Sequence, residues 1–400
     1  MTDTTRWSRS ARIAIELANA GCRVSAVCLA RRHPLLKTRA IHQVFPYSGL
    51  RPLDSLAAAI EAAAPELIIP CDDRAVQHLH QLHVLARMSG AAQDHIAALI
   101  ERSLGPPQSY PIVSVRCSLL EIAREEGLRV PEMQAIHTLD DLRSWGAEHP
   151  LPWVLKADRT WAGGGVKIAR TPQQAERFLK RIPRFFGTAL ALKRLIVNRD
   201  PFWLLPSWSR WMPGVIVQSH IIGRPANCAV VCWEGRVLAG IAAEVVSSDG
   251  PTGPASVVRI VDNPEMMLCA EKIAHRLGLS GFFGLDFMIE EGSGISYLIE
   301  MNPRCTPLCH LRLGEGRDMI GALYEQLSGR PPQATPCVTQ NDMIAYFPEA
   351  WHGNKEILES SFRDVPEGEP ELIKELLYAA PNSTLLARAA KQLGTYFKVH

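Results

Sequence analysis

The hydropathy pattern of this chain changes character at Pro152. Before it, helical and strand patterns alternate. After it, runs of β-branched and apolar residues follow one another with short turns between them. A chain built this way has to set a parallel sheet beside antiparallel ones. In the first part, Ser8 or Ser10 is placed to cap a helix carrying Ile13, Leu17 and Ala20, and Gly21 sits where that helix ends. Val24 to Leu29 reads as a strand. A helix over 54–64 leads to Leu67-Ile68-Ile69, a short strand-like run stopped by Pro70, with Asp72 and Asp73 placed to cap the next helix. The spacing predicts an α/β domain with a parallel sheet over 1–110 whose first element is a helix, where such domains usually open with a strand.

A connecting segment follows, with a helix over Leu119, Leu120 and Ala123 that closes at Gly127. From Pro152 the predicted strands are Trp153 to Lys156, Val166 to Ala169, Val215 to His220, Ala226 to Trp233, Arg236 to Val246, Val257 to Val261, Phe282 to Ile289 and Ile295 to Met301. Turns at Glu234-Gly235 and Gly292-Ser293-Gly294 make several of these hairpins. Helices near Gln173 to Arg181 and Pro264 to Leu277 interrupt the sheet, which makes 111–330 an α+β domain with antiparallel sheets. Pro331-Pro332 marks a linker, and 331–400 reads as an extension that packs on the second domain, with a strand over Met343 to Phe347 and two amphipathic helices.

Charge names no partner: 43 Lys and Arg stand against 41 Asp and Glu in 400 residues, with 47% hydrophobic residues. Neither a nucleic-acid footprint nor a disordered composition is present. Met1 to Arg12 lacks the apolar run of a secretory signal, and no segment reaches the roughly 18 apolar residues of a membrane span, so a cytoplasmic protein is expected. The ten cysteines never fall as C-x-x-C and read as free, mostly buried thiols. The stretch from Arg177 to Trp211 is rich in Phe and Trp; in a chain that is not basic it reads as a buried wall or an acceptor-pocket lid.

The most informative stretch runs from Leu285 to Arg304. A hairpin turning about Ser293 sets Asp286 opposite Glu300, with their Cβ atoms about 5 Å apart, and period two places Asn302 on the same face. Two facing carboxylates repel unless a cation lies between them, and carboxylate and amide oxygens suit Mg²⁺ whose shell nucleotide phosphates complete. Asn302-Pro303-Arg304 adds an anion-binding guanidinium just beyond the strand. A second constellation is Lys156 at the end of an apolar strand, followed by Gly163-Gly164-Gly165, a loop whose backbone N–H groups can approach phosphate. It has neither the P-loop nor the dinucleotide glycine spacing.

The order of these parts resembles the ATP-grasp superfamily, most closely the grasp domains of carbamoyl-phosphate synthase and biotin carboxylase, over about residues 1 to 330. The resemblance implies that Lys156 contacts the α/β phosphates and that Gly163, Gly164 and Gly165 close over the nucleotide. It implies further that Asp286, Glu300 and Asn302 hold Mg²⁺, with Mn²⁺ as the alternative ion, and that Arg304 meets the γ-phosphate or an acyl phosphate. Arg116 stands where the family commonly has a nucleotide-binding lysine, and Gln218 where many members have glutamate before the adenine-binding linker. Ser219, His220 and Ile221 would then offer backbone groups to adenine. Arg116 and Gln218 also read as an ordinary helix-face arginine and a strand-surface glutamine. Arg259, on the strand after Gly253-Pro254, reads either as projecting into the cleft toward transferred phosphate or as a plain surface arginine. Cys305, His310 and Arg312 follow the metal strand and are placed to line an acceptor site, although a structural histidine is the commoner fate of His310.

The implied activity is an ATP-dependent ligase joining a small-molecule carboxylate to an amine through an acyl phosphate, with no nucleic acid or membrane partner and with a homodimer permitted. The alternative is a nucleotide-binding regulatory or scaffold protein that keeps the fold without turnover; the departures at 116 and 218 favour it, and the intact Asp286, Glu300, Asn302 and Arg304 set opposes it.

Overall fold

The structure, a computed structural model, describes residues 1–29, 33–157, 165–185, 214–250, 253–332 and 336–379. The chain does open with a strand, which corrects the helix-first expectation: β1 (Thr2–Asp3) pairs in parallel with β2 (Val24–Cys28), which pairs in parallel with β3 (Ile41–Pro46). A two-residue strand is too short to carry a periodic signal. The Leu67–Ile69 run lies beside β1 without becoming a strand. Thr2 N–H donates to Ile69 O at 2.9 Å and Cys71 N–H donates to Thr2 O at 2.8 Å, and Pro70 between them has no N–H with which to extend the ladder.

Helix α1 (Ser10–Asn19) begins without a side-chain cap, because the Ser10 hydroxyl donates back to Trp7 O at 2.8 Å. Helix α2 (Pro52–Ala63) precedes α3 (Asp73–Met88), which Asp72 caps by accepting from Ala75 N–H at 2.9 Å. Helices α4 (Asp94–Leu104) and α5 (Tyr110–Ser114) lead to α6 (Arg116–Glu125).

Beyond α6 the chain builds two antiparallel layers. The smaller is a four-stranded sheet ordered β4 (Met133–Ile136), β7 (Val215–Ser219), β5 (Trp153–Ala157), β6 (Val166–Ala169). One face of it, with Trp153, Leu155 and Val217, is buried beneath α7 (Leu139–Glu148) and α8 (Pro172–Phe185). Strand alternation turns Lys156 and Gln218 to the other face.

The larger sheet has seven strands, in the order β12 (Ser296–Asn302), β11 (Gly281–Glu290), β8 (Gly223–Trp233), β9 (Arg236–Ser248), β10 (Ala255–Val261), β13 (Met343–Tyr346), β14 (Phe362–Asp364). Its Cys228, Val230, Phe283 and Leu285 face packs on α6 and α9 (Pro264–Leu277). Its Ala229, Val231 and Ile241 face joins α1, β2 and α10 (Met319–Ser328) in one core. The segment beyond 331 thus supplies two strands of this sheet. Helices α11 (Lys355–Ser360) and α12 (Pro370–Ala379) flank them, and α12 buries Leu372 and Leu376 in the core of α1. All ten cysteines are free thiols, and among the described residues no helix is long and apolar enough to cross a membrane.

Candidate active site

Asp286 and Glu300 do face each other, by a route the turn alone does not give. Near the turn the hairpin pairs Ile289 with Ser296 and Phe287 with Leu298, a frame one residue short of one centred on Ser293. A bulge at Ile299 restores the residue, and beyond it Asp286 pairs with Glu300 and Gly284 with Asn302. All three oxygen-bearing side chains therefore share one face. The bulge also frees a carbonyl: Lys156 Nζ, reaching across from the four-stranded sheet, donates to Ile299 O at 3.0 Å. That contact closes the cleft between the two sheets at its inner end.

The charges in this cleft are unevenly matched. Asn302 Nδ2 donates to Asp286 Oδ2 at 3.0 Å, and Arg304 Nη2 donates to Asn302 Oδ1 at 3.1 Å. Burial and the neighbouring Glu300 carboxylate push the Asp286 pKa up to about 6. Burial opposes ionisation of Glu300 as well, but Arg116 and Lys156 outweigh it and hold its pKa below the usual carboxylate range. Arg116 does so directly, with Nη2 donating to Glu300 Oε1 at 2.6 Å while Nη1 donates to Ala157 O at 2.8 Å. Lys156, only 4% exposed, has its ammonium pKa brought down to about 8, chiefly by burial.

At the other end of the cleft, Gln218 is 2% exposed, and among the described residues its Nε2 and the enclosed Nδ1 of the half-buried His220 have no hydrogen-bond partner. Orphaned polar atoms at this depth call for a ligand. Ser219 N–H is committed to Glu132 O at 2.9 Å, so of the expected linker it is His220 and Ile221 whose backbone groups remain for adenine. Gly165 O accepts from Ala157 N–H at 2.9 Å and closes the β5–β6 hairpin; Gly163 and Gly164 lie outside the described residues, as does most of the aromatic stretch up to Trp211.

Arg259 is not brought to this cluster, which corrects the reading that projects it into the cleft. It pairs across the sheet with Glu244, in the row that continues through Ala226 to Phe287, whereas Asp286 lies in the neighbouring row with Asn227 and Ala243. Adjacent rows point to opposite faces, and Arg259 ends half exposed, 3.8 Å from Asp342. A cavity of about 510 Å³ lined by Leu142, Trp153 and Glu176 lies on the α7/α8 side of the small sheet, the face opposite Lys156.

A family model described as the ATP-grasp domain matches residues 119–307. No curated protein matches the sequence. Among solved structures, the biotin carboxylase domain of 2-oxoglutarate carboxylase from Hydrogenobacter thermophilus is similar, with a TM-score of 0.56 and 13% identity over 84% of this chain and 70% of that one. N5-carboxyaminoimidazole synthetase from Staphylococcus aureus is similar with a TM-score of 0.55 and 13% identity, over 84% of this chain and 77% of that one. L-amino acid ligase from Bacillus licheniformis is similar with a TM-score of 0.53 and 14% identity, over 82% and 73%. The fold is an ATP-grasp fold.

Within this ATP-grasp frame the donors fit a hard divalent cation with a nucleotide. Two carboxylates and an amide oxygen share a face, one carboxylate has no ion-pair partner among the described residues, and a lysine stands across the cleft. Two residues escaped the sequence reading. Asp73, seen there only as part of a helix cap, accepts from Arg304 Nε at 3.0 Å and ties the N-terminal domain to the end of β12. The available signal was its place at the carboxyl end of the parallel sheet, where α/β proteins gather ligands. Asn227, directly opposite Asp286 on β8, needed the β8–β11 register, which a single sequence does not supply.

Proposed function

We propose that this protein is an ATP- and Mg²⁺-dependent ligase, with Mn²⁺ able to substitute, that joins a small-molecule carboxylate to an amine in the cytoplasm. The observation that carries the reading is the row formed by Asp286, Glu300 and Asn302 on one face of the large sheet, with Lys156 reaching it from the small one. Of the similar structures, the Hydrogenobacter domain was solved with MgADP and bicarbonate, the Staphylococcus synthetase with ADP, and the Bacillus protein is named an amino acid ligase.

In the proposed reaction a carboxylate oxygen attacks the γ-phosphorus and ADP leaves. The amine nitrogen then attacks the acyl carbon, inorganic phosphate leaves, and the amine proton passes to solvent. A bound Mg²⁺ supplies charge neutralisation on the phosphate oxygens. Lys156 and Arg116 are placed to take the remaining phosphate charge. Arg304, held by Asp73, Cys305 O and Asn302 beyond the end of β12, would meet the transferred group.

Release of ADP and phosphate from Mg²⁺-ATP, measured with pooled carboxylates and amines, tests this. Release that depends on both pools supports the ligase. Nucleotide binding without release leaves a regulatory ATP-grasp protein instead, and absence of binding removes both.

A further inference from the structure

Arg304 leaves β12 through a bend: Pro303 before it has no N–H for the ladder, and Arg304 N–H donates back to Asn302 O at 2.8 Å. Two of the guanidinium's contacts stay within that bend, Nη2 on Asn302 Oδ1 and Nη1 on Cys305 O, both at 3.1 Å. The third leaves it. Nε donates at 3.0 Å to Asp73, the first residue of α3, and Cys305 N–H donates to Pro70 O at 3.3 Å. The segment from Pro70 to Asp73 therefore holds the bend by its backbone and by a side chain.

Contacts inside a bend move with it, whereas a contact to another domain fixes a direction. Asp72 and Asp286 attract the guanidinium too, but among the described residues Asp73 is the carboxylate that bonds it. Asp72 is spent on Thr4 N–H at 2.6 Å, the Thr4 hydroxyl at 2.7 Å and Ala75 N–H at 2.9 Å. Between Arg304 and Asp286 stands the Asn302 amide, which accepts from the one and donates to the other. A guanidinium has five N–H donors, and these contacts use three. One on each terminal nitrogen is left for a two-pronged anion. Without Asp73 the nearest uncommitted attraction is the Asp286 carboxylate, which would draw the fork away from such an anion.

Building on the ligase reading, we propose that Asp73 is a positioning residue: from the N-terminal domain it sets the direction of the Arg304 guanidinium, so that the two remaining N–H groups meet the phosphoryl group in transfer. The N-terminal domain thereby takes part in the chemical step through one carboxylate.

ADP formation by the full chain from Mg²⁺-ATP with pooled carboxylates and amines, followed across ATP concentrations, tests this. Asp73→Asn keeps an acceptor oxygen and loses the charge, so kcat should fall about tenfold with the KM for ATP nearly unchanged. Asp73→Ala loses both and should fall further, toward the level of Arg304→Ala. In the Arg304→Ala background Asp73→Asn should cost almost nothing more, because the group it positions is gone. A second readout needs no turnover. Binding of Mg²⁺-ADP together with aluminium fluoride, a mimic of the phosphoryl group in transfer, should weaken about tenfold in Asp73→Asn while Mg²⁺-ADP alone binds as in the parent.

An equal loss of kcat from Asp73→Asn with and without Arg304 overturns the positioning role and leaves the ligase reading standing. So does unchanged kcat and aluminium fluoride binding in both Asp73 variants, whatever happens to their melting temperature. A parent that forms no ADP with any pool overturns both.

Discussion

Two of the clusters of acids and bases among the described residues are finished to different degrees. In one, Asp364 at the end of β14 is fully enclosed. It accepts from His310 Nε2 at 2.9 Å and from Arg12, with Arg9 Nη1 at 3.6 Å. Arg9 in turn donates to Phe347 O at 3.2 Å and to Glu349 at 2.6 Å. Burial works against the Asp364 charge, but His310, Arg12 and Arg9 override it and hold the carboxyl well below the usual range. In the other cluster Asp286, only partly buried, has an amide for its nearest partner and a second carboxylate opposite, and its pKa is pushed up to about 6. A cluster whose charges are matched by the protein ties α1, β14 and the chain after β12 together; in the other, Asp286 is left facing a second carboxylate, the arrangement proposed above to take an external cation.

The sharpest way to break this contrast is at Glu300. Glu300→Gln keeps the shape and removes the charge, so ADP formation should fall by about a thousandfold or more, while the lost ion pair with Arg116 lowers the melting temperature without unfolding the protein. Near-normal ADP formation would show that the Asp286–Glu300 face does not hold the metal.

Next in size is Asp364. Asp364→Asn leaves two arginines and a histidine facing a neutral amide, and a broken buried ion network costs about 3 to 5 kcal/mol. Denaturant unfolding should show a loss of that order with an unchanged slope. A loss below about 1 kcal/mol, the range of exposed ion pairs, would mean that the cluster is solvated and the comparison fails.

Much of this was legible beforehand, and the gaps have physical causes. Val166–Ala169 and Pro264–Leu277 begin and end where turn residues and the hydrophobic period place them. The pairing of Asp286 with Glu300 was anticipated for an incomplete reason. The bulge at Ile299 compensates a turn one residue tighter than assumed, and nothing in Leu298-Ile299-Glu300 marks a bulge before the Lys156 contact is seen. The two readings of Arg259 could not be told apart in the sequence because which face a strand residue takes depends on register with β9 and β8, a long-range property. His310 followed the commoner fate of a structural histidine. Its partner Asp364 lies 54 residues on, out of reach of any local pattern.

A smaller effect separates ground-state from transition-state contacts within the unmatched cluster. Arg304 is clamped by Asp73 and Asn302 beyond the end of β12 and is proposed to meet the transferred phosphoryl, so Arg304→Ala should lower kcat about a hundredfold with little change in ATP binding. Lys156→Ala should instead raise the KM for ATP by about tenfold. The reverse pattern would mean that the transferred phosphoryl lies nearer Lys156 than Arg304.

The last prediction reads the unmatched charge as stability. With its folded pKa raised to about 6 against an ordinary value of 3.8, Asp286 retains a proton in the folded chain at pH values where the unfolded chain has lost it. Stability therefore falls as pH rises through the window from about 4 to 6, and the full penalty, at most on the order of 3 kcal/mol, stands above it. Asn carries no such proton. Asp286→Asn should match the parent near pH 4 and melt higher than it at pH 7, even though the substitution removes a proposed metal ligand. Asp72, whose burial and proximity to Asp3 also push its pKa up to about 6, titrates in the same window, but it is present in both proteins and drops out of the difference. Saturating Mg²⁺-nucleotide should reverse the order at pH 7, because only the parent gains the stabilisation of bound metal. A difference that does not vary between pH 4 and 7 would show that Asp286 is matched after all, and the two clusters would then be alike.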